Sequence, residues 1–99
     1  MLKTKELVVE CTDSLRMEEF QINESAINVM AAMLGKNTRE IILEEDKEAP
    51  DIEKIKLLEE DGYRLRKEQE TVYFSDDIER KRELIERYTP IIRELLENA

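Results

Sequence analysis

Residues 25–35, SAINVMAAMLG, carry no charge, in a chain where Asp, Glu, Lys and Arg make up 41% of residues. At helical spacing Ile27, Met30, Ala31 and Leu34 fall on one stripe, and Ala26, Val29 and Met33 on its neighbour, with only Asn28 interrupting. A helix that is apolar on nearly all sides must be wrapped by other elements, and those elements must supply the charged outer surface. Asn23 or Ser25 reads as its N-cap, and Gly35 with Lys36 and Asn37 as its C-terminal stop.

Around that helix the chain reads as strands alternating with helices. Over residues 5–11, Leu7, Val9 and Cys11 share one face and Glu6, Val8 and Glu10 the other, a half-buried strand pattern. Residues 12–21 read as a helical turn or link. Residues 38–45, TREIILEE, place Ile41, Ile42 and Leu43 in succession between charges, which reads as a short buried strand. Pro50 then opens a helix striped by Ile52, Ile55 and Leu58, with Leu57 beside them, ending near Gly62. Residues 63–74 have no Gly, Asn or Pro to form a tight turn and read as one long or bulged strand. Ser75, Asp76 and Asp77 open a last helix. Ile78, Ile85 and Ile92 recur along it, as do Tyr88 and Leu95, flanked by Leu84, Ile91 and Leu96. Pro90 inside it, at a cost of about 3 kcal/mol or more, implies a kink or break at Thr89-Pro90. The expected fold is α+β or mixed α/β in one compact domain over residues 1–99. A small sheet of about three strands would carry a buried central helix and a long C-terminal helix packed on it.

Composition then narrows the chemistry. The chain has no His and a single Cys, Cys11, so it offers neither an internal disulfide nor the ligands of ordinary structural zinc. Cys11, Ser14, Ser25 and Ser75 have no imidazole to activate them, and the two glycines, Gly35 and Gly62, form no phosphate loop. No cofactor is implied. The opening residues show no secretory or membrane-spanning pattern, which with a lone thiol gives the expectation of a cytoplasmic protein.

Net charge is −9 and the sequence pI about 4.6, which disfavours phosphate backbones and anionic lipid and favours basic partners. The basic groups Arg64, Arg66, Lys67 and Arg80, Lys81, Arg82 are interleaved with acids, and Glu6 and Glu10 would face DNA if the first strand were a groove reader. Charge is also regional: residues 38–62 hold ten acids and four bases, residues 63–99 nine and eight. The function expected is that of a noncatalytic acidic protein-binding domain, acting as a homodimer or as an inhibitor-like or antitoxin-like partner of a basic protein. Its candidate partner surface is Glu44, Glu45, Asp46, Glu48, Glu59, Glu60 and Asp61. Its candidate oligomer interface is Ile78, Ile85, Tyr88, Ile92 and Leu95. The alternative is a small enzyme or metal-dependent protein using Glu44, Glu45, Asp46 and Asp51 as carboxylate ligands for calcium or magnesium.

Overall fold

A computed structural model describes residues 2–98, with side chains from Met17 onward. The chain is all helical: α1 spans Leu2–Glu45, α2 Ile52–Phe74 and α3 Ile78–Glu97, together 88% of its length. No strand occurs among the described residues, so the expected α+β or α/β sheet is overturned.

α2 runs antiparallel to α1, because Lys54 near its start meets Glu44 and the carbonyl of Leu58 meets Asn37. α3 turns back and runs parallel to α1. Arg82 near its start pairs with Glu18, and Ile91 and Leu95 in its last turns lie beside Lys36. The core runs down the middle, with Ala26, Met30 and Met33 from α1, Leu65 and Val72 from α2, and Leu84 and Tyr88 from α3. The uncharged run of residues 25–35 is therefore the centre of the core, although Asn28, Ala31 and Gly35 on its far side face solvent.

Each expected strand becomes helix for a physical reason. Residues 38–45 end α1, whose inward stripe continues from Met30 and Met33 through Asn37 to Glu44. That stripe keeps helical spacing, but its last two members are polar, so a reading of apolar residues alone sees the helix stop at Gly35. Residues 63–74 complete α2, where the charged stretch of residues 66–70 is made of strong helix formers and Leu65, Glu68 and Val72 point inward at helical spacing. Residues 5–11 and 12–21 fall within the bounds of α1, and the side chains of residues 1–16, Cys11 and Ser14 included, lie outside the described ones. The caps read at Asn23 and Ser25 are mid-helix positions.

Gly62 likewise does not end a helix. It is buried on α2, where a Cβ would sit 2.5 Å from the side-chain oxygen of Asn37, and its role is the close approach of two helices. Asn37 uses that closeness to donate from Nδ2 to the carbonyl of Leu58 at 2.7 Å. The real helix starts are capped by Asp51, which accepts from the Lys54 amide at 3.2 Å, and Asp77, which accepts from the Arg80 amide at 3.0 Å. α3 continues through the exposed Pro90 without a break, and the Thr89 hydroxyl donates to the carbonyl of Ile85 at 2.6 Å.

Candidate interaction surface

Three polar constellations lie on this bundle. The first is centred on Glu68, buried on α2 and facing α3. Its Oε2 accepts from Arg87 at 3.2 Å and Arg80 at 3.4 Å. Its Oε1 accepts from Arg64 at 3.4 Å and from the Tyr88 hydroxyl, which itself accepts from Arg64 at 3.0 Å. Burial, with the bond to Glu68 next, raises the Tyr88 phenol above its ordinary value, and the bond to Tyr88 raises the Arg64 guanidinium. Glu83 and Asp61 balance the outer sides of these arginines, at 3.0 Å and 2.9 Å from Arg80 and Arg87 and at 3.7 Å from Arg64. Both oxygens of Glu68 are thus engaged by donors, which suits a node that fixes α3 on α2. Sequence reading missed it, although Arg80, Leu84 and Arg87 share one helix face and Arg64 and Glu68 another.

The second constellation closes the hairpin between α1 and α2. Glu44 is buried; its Oε2 accepts from Lys47 at 2.7 Å and lies 3.4 Å from the Lys54 ammonium, and its Oε1 accepts from the Asp51 amide at 3.1 Å. The Lys47 bond and then the Asp51 amide hold its carboxyl down from the ordinary 4.5 to about 2. Glu44 was expected on a partner surface, and it works inward as a clasp. Glu45 is exposed at the end of α1, Asp46 and Glu48 on the connection, and Glu59, Glu60 and Asp61 along α2. The last three lie mid-helix rather than at a C-terminus, so they do not oppose a helix dipole. Glu44, Glu45, Asp46 and Asp51 are not brought together as a ligand set, and no group of three or more acids or cysteines is placed to hold a metal among the described residues.

The third is an open cavity of 380 Å³ where α2 passes into α3, lined by Glu19, Phe20, Asn23, Asp76, Ile78 and Lys81. Lys81 is only 6% exposed, and the buried Oδ1 of Asn23 has no hydrogen-bond partner among the described residues. Two carboxylates and one ammonium share this cavity, a charge balance that favours no simple anion.

Of the expected oligomer interface, Tyr88 is in the core, Ile78, Ile85 and Ile92 are half-buried, with Ile85 and Ile92 packed against that core, and Leu95 is exposed. The C-terminal stripe is largely spent inside the monomer. Apolar surface lies elsewhere. Met17, Phe20, Tyr73 and Phe74 are exposed towards the end where α2 meets α3, and Ile42, Leu43, Ile52 and Leu57 at the other, where α1 meets α2. No helix is long and apolar enough to cross a membrane among the described residues. No protein-family model, curated protein or solved structure matches the chain.

Proposed function

We propose that the chain is a noncatalytic helical module that binds another protein, a basic one, in a cytoplasmic setting. One observation carries this reading. Among the described residues eleven large hydrophobic side chains are exposed, against a buried hydrophobic core of seven residues. Apolar side chains scattered singly are normal, but eight of these eleven gather at the two ends of the bundle, where a partner can cover them. The net charge of −9 then selects among partners by favouring a basic one and speeding its approach.

The experiment is capture by the immobilised chain from a lysate of its source cells at low salt, with the retained proteins identified by mass. A small set of basic proteins is expected, lost when Glu45, Asp46 and Glu48 are replaced by Lys. Glu44 is left intact in that variant because its role is structural. An empty column, or a retained set unchanged by charge reversal, counts against the reading. Self-association is a second reading, favoured by Phe74, which is 88% exposed.

A further inference from the structure

Of the buried charged side chains described, Glu44 and Glu68 are each met by cations, whereas Lys81 has no ion pair among the described residues. An ammonium withdrawn from water without a counter-charge is strongly disfavoured, so Lys81 favours the arrival of an anionic group. It lines the 380 Å³ cavity where α2 passes into α3, and in that cavity the buried Oδ1 of Asn23 also has no hydrogen-bond donor among the described residues. Three elements build the walls. Glu19 and Asn23, four residues apart, stand on one face of α1 with Phe20 beside them; Asp76 comes from the connection before α3; Ile78 and Lys81, three apart, come from its first turns. Glu19 and Asp76 are exposed and have no ion pair among the described residues either. The cavity therefore holds two carboxylates and an ammonium apart, none within salt-bridge reach of another.

We propose that this cavity binds a free basic amino acid, of the lysine, ornithine and arginine class, a role that does not depend on the chain's binding another protein. The match is charge for charge. The ligand's carboxylate meets Lys81, and its two cationic groups meet Glu19 and Asp76, in charge-assisted hydrogen bonds. A remaining N–H satisfies the Asn23 Oδ1, which can only accept. The aliphatic stem between the ends lies against Phe20 and Ile78, and Phe20, 63% exposed, gains cover. Size agrees, since 380 Å³ is near the lower limit of ligand cavities, which run from about 300 to 1,000 Å³. Other small ligands match less well. A simple anion is repelled by two carboxylates, a diamine leaves Lys81 unmet, and a neutral amino acid leaves one carboxylate unmet.

The test is isothermal titration calorimetry of the full chain. L-Lysine is expected to bind with a Kd of about 1 mM or tighter. L-Norleucine, cadaverine and Nα-acetyllysine lack the side-chain ammonium, the carboxylate and the α-ammonium respectively, and each should bind about tenfold or more weakly. E19Q/D76N should weaken lysine binding about tenfold or more. Both residues are exposed and unpaired, so this variant retains its fold, and circular dichroism checks this. K81M should bind lysine no more tightly than cadaverine, and should melt no lower than wild type because it removes a buried unpaired charge. Lysine bound no more tightly than L-norleucine or cadaverine, or undiminished by E19Q/D76N, overturns the assignment. Equal binding of Nα-acetyllysine also overturns it, since the ligand would then be the C-terminal lysine of a protein. Absence of binding by L-lysine, L-ornithine and L-arginine alike overturns the site itself.

Discussion

Gly62 and Glu44 show how much of this bundle is decided by single residues that are not hydrophobic. At Gly62 the absence of a side chain is the contribution, because Asn37 fills the place where a Cβ would lie. Gly62→Ala should therefore destabilise by about 1–3 kcal/mol despite the better helix propensity of alanine, as overpacking does. Urea unfolding of Gly62→Ala, Asn37→Ala and the double variant checks the cause. Coupling of about 0.5 kcal/mol or more is expected, since Asn37→Ala empties the contested space. Glu44 makes the opposite contribution, a charge held inward by Lys47, the Asp51 amide and Lys54. Its carboxyl is depressed from 4.5 to about 2, so its stabilisation is complete above pH 4.5 and is lost as the pH falls to about 2. Glu44→Gln should narrow the difference in melting temperature from wild type across that window. A constant difference from pH 6 to pH 2 would show that the ionised carboxylate contributes nothing.

At the scale of elements, α3 is held to its neighbours by a charged node as well as by Leu84 and Tyr88. Glu68→Gln keeps the shape and removes the charge shared by Arg64, Arg80 and Arg87, and should cost about 1–3 kcal/mol, limited by the solvent that already screens those arginines. Near-ultraviolet dichroism should report it through Tyr88. Pro90→Ala should act in the other direction, because Pro90 is exposed inside α3 and its replacement restores an amide donor, raising stability by up to about 3 kcal/mol in thermal melts. The central apolar run, the opening of the last helix at residues 75–77 and the helix beginning near Ile52 were legible in the sequence because their signals are local. The length of α1 and α2 was not. Their inward stripes pass through Asn37, Glu44, Gly62 and Glu68, residue types that ordinarily mark a surface or a stop. What packs against them makes them core: the Leu58 carbonyl for Asn37, Asn37 itself for Gly62, two lysines and the Asp51 amide for Glu44, and three arginines for Glu68. The acidic site was half legible for the same reason: its charges are where the sequence puts them, but Glu44 is claimed by the hairpin.

The whole molecule is a thin rod, 74 × 28 × 16 Å, with a radius of gyration of 19.0 Å. A compact domain of this length would have a radius of about 13 Å. A rod has little interior, which is why Phe74, Ile52, Leu57 and Leu96 stay in water while the core is built of few side chains. Two forces then act on any pair of copies. Exposed apolar ends favour contact, and a charge of −9 on each chain opposes it, with a reach set by ionic strength. Screening shortens that reach from about 30 Å at 0.01 M salt to about 3 Å at 1 M, while the hydrophobic term is not weakened. Sedimentation equilibrium should consequently find a monomer at low salt and a rising average mass as salt is added, the reverse of an assembly held by ion pairs. Phe74→Ser should suppress that rise, since Phe74 is the most exposed large apolar side chain described. A mass that falls with salt would place self-association on the charged faces, and a monomer at every salt concentration would leave the apolar ends to a different protein.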